Sequence, residues 1–392
     1  MILLFWISLF LLCYTYCIFP ISIILISKYK NLNSNIYNND YELPPVSILI
    51  AAYNEEDVIL DKIESILKSD YQSEKIEIII GSDCSTDRTN EIITKLSNKY
   101  SCVSINTFDK REGKAAVINK LVDKAKNEIL ILTDANIIFS KKTIYSLVRH
   151  FKNNHIGLVD SNMINIGIKE NGISLQEKTY ISSEVQFKHA ESKIWGMLMG
   201  PFGGCFAIRK SLFEPIPKNF MVDDFFVCMN ILIKKKLAIN DLDAIVYEDV
   251  SNQISEEFRR KRRISMGNFI NLNHFKRLVF KPFSKLSFIF ISHKVIRWFS
   301  PILLISMLVS NFRIIINDEN IFYNICIFIQ ISFIITPFID YLLRKIRIHI
   351  LILRFITHFY IMNLALLIGF IDFLTISKKG TWEPTKRKQD EF

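Results

Sequence analysis

The run Glu128-Ile-Leu-Ile-Leu-Thr-Asp-Ala-Asn136 closes on two oxygen-bearing side chains, Asp134 and Asn136, one residue apart. A carboxylate and an amide oxygen at that spacing suit a hard divalent cation, Mg2+ or Mn2+. A lone acid at a strand end more often caps the next turn, so the reading depends on the rest of the chain. Asp83 follows another apolar run. There a carboxylate either accepts hydrogen bonds from a ribose or base or bonds its own turn. Lys110, Arg111 and Lys114 surround Gly113 at a helix start, a basic turn suited to phosphate. Gly200-Pro-Phe-Gly-Gly204 is a glycine-rich loop that admits close backbone approach by a ligand. Asp223 and Asp224 open a further helix, where the macrodipole stabilises acids; for Asp224, capping and catalysis both stay open. In Arg259-Arg-Lys-Arg-Arg263 five cations go round a helix and cannot share one face. At least three of them are expected in water or lipid headgroups.

The elements that must position these groups follow from hydrophobic patterning. Buried strands are expected at Val46 to Tyr53, Ile76 to Ile80, Cys102 to Phe108 and Glu128 to Asp134. Helices are expected from Asn54 to about Ser69, after Asp87 to Tyr100, and from Ala115 to Lys126. Four βα units in a row predict a doubly wound α/β fold with a mainly parallel sheet, whose strand ends carry Asp83 and Asp134. Beyond Phe139 the alternation loosens. A strand at Gly157 to Ile166, a helix at Ser174 to Lys193 and a strand at Cys205 to Ile208 are expected there. G-x-x-x-x-G-K-[ST] and G-x-G-x-x-G are both absent from the sequence, which argues against a P-loop NTPase and a dinucleotide enzyme.

Half of the 392 residues are hydrophobic, and they concentrate at the two ends. Residues 1–27 form an uncharged apolar run of membrane-spanning length, followed by Lys28 and Lys30. By the positive-inside rule those lysines place the next domain in the cytoplasm, at an inner or plasma membrane. A polar linker at 28–45 leads into a soluble domain at 46–274. An interfacial amphipathic segment is expected at 275–293, about three membrane helices at 294–376 and a basic tail at 377–392. With the first segment leading inward, three simple crossings would leave that tail outside; its lysines favour the cytoplasm, which requires one segment to be re-entrant or interfacial. The net charge of +10 clusters beside the apolar runs, which points to a lipid bilayer rather than nucleic acid. Seven cysteines without C-x-x-C spacing read as reduced thiols.

In this order the motifs resemble those of the membrane-bound family 2 glycosyltransferases, which include the synthases of cellulose, hyaluronan and poly-N-acetylglucosamine. Ile50-Ala-Ala-Tyr-Asn-Glu55 is similar to their opening strand, Gly81 to Thr89 to their second motif, and Arg111 to Asn119 to their basic helix start. Asp134-Ala-Asn136 stands at the D-x-D site, Gly203-Gly204 at the acceptor-side loop, Val222-Asp-Asp224 at T-E-D, and Arg260 to Ile264 at Q-x-x-R-W. Ser292 to Trp298 and Gly380 to Thr385 resemble the membrane part and tail of bacterial members.

The resemblance implies a GT-A domain flanked by transmembrane helices, and an inverting hexosyltransferase acting by single displacement. The donor would be a nucleotide-diphosphate sugar, a UDP-sugar first among them, and the acceptor a glycan or lipid-linked hydroxyl. Ala51, Tyr53, Glu55, Asp83, Lys114, Asp134, Arg260 and Arg263 would bind the donor. Asp134 and Asn136 would hold the metal, Gly203 and Gly204 would flank the acceptor, and Asp224, with Asp223 beside it, would be the base. Two departures stand out. Asn136 replaces an acid, which weakens the metal site. Arg260 and Ile264 replace the glutamine and tryptophan that help polymerising synthases bind the acceptor end. Three readings remain: single addition for cell-surface polysaccharide or lipid-linked glycan, processive synthesis with secretion, and a non-catalytic nucleotide-sugar-binding membrane protein.

Overall fold

The computed structural model describes residues 1–168, 173–249, 252–281, 284–317 and 320–375. The basic tail and Gly380 to Thr385 lie outside the described residues. In chain order the elements are helix α1 (Ile2–Ser27, with a π turn at Tyr14–Ile18), β1 (Val46–Ala52), α2 (Ile59–Leu67), β2 (Ile76–Ser82) and α3 (Thr89–Lys99). Then come β3 (Val103–Thr107), α4 (Lys114–Lys124), β4 (Ile129–Asp134), β5 (Ile138–Phe139), α5 (Thr143–Val148) and β6 (Ile156–Ile166). They are followed by α6 (Ser174–Trp195), β7 (Cys205–Arg209), α7 (Asp223–Ile233), β8 (Leu237–Asp249) and α8 (Ile254–His274). Helices α9 (Ser300–Asn317), α10 (Ile321–Lys345) and α11 (Leu351–Thr375) close the described chain.

One sheet runs in the order β3-β2-β1-β4-β7-β6-β8-β5. Its first four strands are parallel, because β1 pairs with β2 and β4 and β2 with β3. Strand β7 then enters antiparallel between β4 and β6, and β8 returns parallel to β6, so the sheet is mixed. Alternate residues of β1 serve opposite faces. Val46, Ile48 and Ile50 join one core with α2 and α3, and Leu49 joins the other with α4 and α7.

Two expectations change. The helix thought to open at Asn54 begins only at Ile59. Asn54 takes a left-handed φ of 53°, and its side chain accepts from Thr86 N at 2.9 Å, tying two loops together. The segment 275–293 is not one interfacial helix. It forms short pieces at Lys276–Val279 and Lys285–Phe290 before a π turn, and Ile289, Phe290 and Trp298 are buried in the second core.

Helices α1, α9, α10 and α11 are long and apolar enough to cross a membrane. Helix α11 lies on α8, where a Cβ on Gly369 would meet Arg262 O at 2.4 Å. Arg262 binds Asp372 of α11 through two nitrogens, at 2.5 and 2.9 Å, and Ser265 donates to Leu366 O at 2.7 Å. The described cysteines are all free thiols.

Candidate active site

Helix α4 begins at Lys114 because Gly113 turns the chain with φ 88°, a conformation that favours glycine. Asp83 fixes that turn. Its two carboxylate oxygens accept from Glu112 N at 2.7 Å and Gly113 N at 2.9 Å. Asp83 is thus engaged with the backbone of the basic turn rather than with its own.

The start of α4 aims Lys114 across the strand ends. Its Nζ lies 2.7 Å from Asp134 Oδ1 and 3.7 Å from Asp223 Oδ2. Acids 89 positions apart in sequence therefore share one ammonium. Burial works against the charged lysine, but Asp134 and Asp223 outweigh it and raise its pKa.

Asp224 sits behind this pair, against the glycine-rich loop. A Cβ at Gly203 would lie 2.7 Å from Asp224 Oδ2, so any side chain there would push the carboxylate from its place. Burial, and next the negative charge of Asp223, push the Asp224 carboxyl up to about 7. Phe202 N donates to buried Asp160 at 2.7 Å, and Lys188 neutralises Asp160 at 2.6 Å. Gly204 O accepts from Asp134 N and Thr133 Oγ1, each at 2.9 Å, which locks the loop to the end of β4.

The turn after β4 is held from below by a residue that sequence patterning did not single out. Lys62 is wholly buried, and its Nζ donates to Ile137 O at 2.7 Å and Thr133 Oγ1 at 2.8 Å and covers the Phe139 ring. Burial lowers its pKa to about 7, with Cys205 and Asp134 acting in the opposite direction. The signal was present: Lys62 interrupts the apolar stripe Ile59, Ile63, Ile66 of α2. Asn136 Nδ2 donates to Glu248 Oε1 at 3.4 Å, a second partner from a strand that sequence reading missed.

Among the residues expected to bind the donor, Ala51 is the penultimate residue of β1, and Tyr53 lies beneath the Arg111 guanidinium, 3.8 Å from the ring centre. Arg111 Nε and Nη2 are buried without a hydrogen-bond partner among the described residues. Buried donors of that kind mark a place for a ligand's acceptors. Glu55 N donates to Thr89 Oγ1 at 2.8 Å, which anchors its loop.

The five cations of α8 divide differently from expectation: only Arg259 and Arg262 are exposed, so the expectation of three or more solvated is corrected. Lys261 meets Glu177 at 2.8 Å and Glu257 at 3.4 Å, and Arg260 meets Glu257 at 3.4 Å. Arg263 faces a cavity of about 290 Å3 with Lys114, Lys218, Asp223, Arg259 and Asp372. Burial, and next Arg260, lower the Arg263 pKa, so an anion placed there would be favoured. The helix brings its charges inward because acids of α6 and of its own first turn await them.

Residues 47–216 match the family described as Glycosyl transferase family 2. The chain carries a family 2 glycosyltransferase domain. It is 32% identical over 113 residues to the probable glycosyltransferase YdaM of Bacillus subtilis, covering 28% of this chain and 27% of that one. It is 32% identical over 133 residues to a poly-beta-1,6-N-acetyl-D-glucosamine synthase of Staphylococcus aureus, covering 34% and 32%. With a beta-monoglucosyldiacylglycerol synthase of Nostoc sp. it shares 26% identity over 172 residues, covering 43% and 37%. The chain thus spans about a third of the length of the curated relatives it matches. The structure of the mannosyltransferase PcManGT from Pyrobaculum calidifontis, in complex with GDP-Man and Mn2+, superposes with a TM-score of 0.67 at 18% identity, covering 95% of this chain and 99% of that one. The family 2 domain has the GT-A fold, and the likeness to PcManGT covers 95% of this chain, helices long and apolar enough to cross a membrane included.

Proposed function

We propose that the protein is an integral membrane glycosyltransferase that moves a sugar, with inversion, from a nucleotide-diphosphate sugar to a hydroxyl acceptor. The observation that carries this reading is the meeting of Asp134, Lys114, Asp223 and Asp224 in one cleft. In the proposed reaction the acceptor oxygen forms a bond to the anomeric carbon as the bond from that carbon to the diphosphate breaks. The hydroxyl proton passes to Asp224, whose pKa near 7 suits a base working at neutral pH. A base on the face opposite the leaving group is what inversion demands.

Lys114 and Arg263 hold the departing diphosphate by charge, and Arg111, stacked on Tyr53, offers donors to the nucleotide. Asp134 and the amide oxygen of Asn136 are hard donors, and among the described residues no third acid, His or Cys joins them. Two protein oxygens completed by phosphate and water fit Mg2+ or Mn2+. Such a cation, when bound, neutralises charge on the leaving group.

We place the catalytic domain on the cytoplasmic side, with α1, α9, α10 and α11 in the bilayer. Single addition to a lipid-linked or cell-surface glycan is favoured over secretion of a polymer. The cavity among these helices, about 560 Å3, is lined mainly by Phe, Leu, Ile and Met side chains, which offer a hydrated sugar chain few partners.

The test uses the purified full chain in detergent with Mg2+ or Mn2+ and a panel of nucleotide sugars. Acceptor-dependent release of nucleoside diphosphate is expected with one donor, with products of single addition. Asp224→Asn should abolish turnover while donor binding persists. Unchanged turnover in that variant would overturn the reading.

A further inference from the structure

We propose that Glu248 acts as a positioning residue that turns the amide oxygen of Asn136 toward the cation place beside Asp134, and that this explains an amide at position 136. The inference rests on the cation-dependent reading above. Asn136 can present either end of its amide, and only the oxygen ligates a hard cation. Glu248 is 3% exposed and its carboxylate only accepts. The 3.4 Å contact from Nδ2 to Oε1 therefore selects the NH2 end and leaves the oxygen facing away from Glu248.

The backbone holds both partners in place. Ile138 of β5 pairs with Tyr247 of β8, so the turn and Glu248 lie on adjoining strands. Lys62 holds Thr133 Oγ1 and Ile137 O from beneath, and Gly204 O holds Asp134 N. With the backbone pinned on three sides, the remaining freedom at position 136 is the side-chain torsion that Glu248 controls. Partners of this kind, one step removed from a metal, commonly change affinity 10- to 100-fold.

An acid at position 136 would bring a second carboxylate against a buried one, and like charges repel. Restoring the D-x-D pattern is thus unfavourable here unless Glu248 is neutralised as well. The two positions form a matched pair: amide with carboxylate, or carboxylate with amide.

Mn2+ binding to the purified full chain in detergent, with UDP or GDP supplying the phosphate oxygens and a protein-free blank of the same nucleotide subtracted, is followed by electron paramagnetic resonance of the free ion. Four proteins are compared: the natural chain, Glu248→Gln, Asn136→Asp and the double variant. Glu248→Gln, isosteric and able to present either amide end, should weaken Mn2+ binding about 10-fold. Asn136→Asp should bind no better than the natural chain, and the double variant should bind more tightly than either single one. That rescue separates positioning from a merely structural role. Tighter binding by Asn136→Asp alone, or unchanged binding by Glu248→Gln, overturns the proposal. Should Glu248→Gln not fold, the Asn136→Asp comparison decides alone. Absence of Mn2+ binding by the natural chain overturns the cation reading itself, and the proposal with it.

Discussion

Replacing Gly203 by alanine tests the claim that Asp224 works in a space only glycine allows. The new methyl carbon would lie 2.7 Å from Asp224 Oδ2 and 3.0 Å from its Cγ, against about 3.4 Å for ordinary contact. The carboxylate must retreat by about 0.7 Å. It is the end of a side chain and can swing, so the stability cost is expected near 1 kcal/mol, at the low end for overpacking. Catalysis is more sensitive, since a displacement of about 1 Å costs on the order of 100-fold. A fall in kcat of roughly 10- to 50-fold is expected, about 1.4 to 2.3 kcal/mol of barrier. The assay is acceptor-dependent diphosphate release, with the melting temperature in detergent as control. KM for the donor should hold, because Lys114 and Asp134 are untouched. The double variant Gly203→Ala, Asp224→Asn should lose no more than Asp224→Asn alone, since one change acts through the other. Full turnover in Gly203→Ala, or independent losses in the double variant, would refute the reasoning.

Other expectations follow from the charges. Turnover should rise as pH passes about 7, because Asp224 must lose its proton to serve as base. Asp223→Asn, by removing the neighbouring negative charge, should move that limb to lower pH; a limb that stays put refutes the coupling. The fold keeps the Asp224 proton up to about 7 while the unfolded chain releases it near 3.8, so this group makes the protein less stable as pH rises between those values. Asp224→Asn should accordingly raise the melting temperature at pH 8 more than at pH 4. Lys62 has the opposite sign: the fold loses its proton near 7 and the unfolded chain near 10.5, so its contribution grows more favourable between pH 7 and 10. Lys62→Met should lack that rise and cost about 1–3 kcal/mol for the acceptors left bare at Thr133 and Ile137, read from denaturation at several pH values. Glu177→Gln leaves the Lys261 ammonium with Glu257 at 3.4 Å as its remaining carboxylate where α6, α8 and α11 meet, and a loss of about 1–3 kcal/mol is expected. An unchanged melting temperature would show that the pair does not hold α8 in place.

The parallel half of the sheet was legible because its strands are buried on both faces and read as short apolar runs, as in Ile78 to Ile80 and Ile129 to Leu132. Strand β8 escaped notice for the complementary reason. It carries Asn240, Asp241 and Glu248, polar side chains that bond to other segments: Asn240 donates to Asp160 and Ser161 O, and Asp241 accepts from Arg149 and His150. A local reading treats such residues as loop. A helix carrying Arg259 to Arg263 was foreseen, over Glu256 to Gly267, but not its full length or the direction of its charges, because the acids that receive Lys261 come partly from α6, 84 positions away.

Chain order and residue type by themselves singled out the side chains proposed to carry the chemistry: Asp134 with Asn136 at a strand end, Lys114 at a helix start, Gly203 in a loop, and Asp223 with Asp224. Only the tertiary structure decided that these groups share one cleft, that Asp224 is desolvated enough to titrate near 7, and that Lys62 and Glu248 support the turn between them. The physical reason is that strand and helix patterns are local, whereas desolvation and Coulomb interactions depend on distance through space, which packing alone sets.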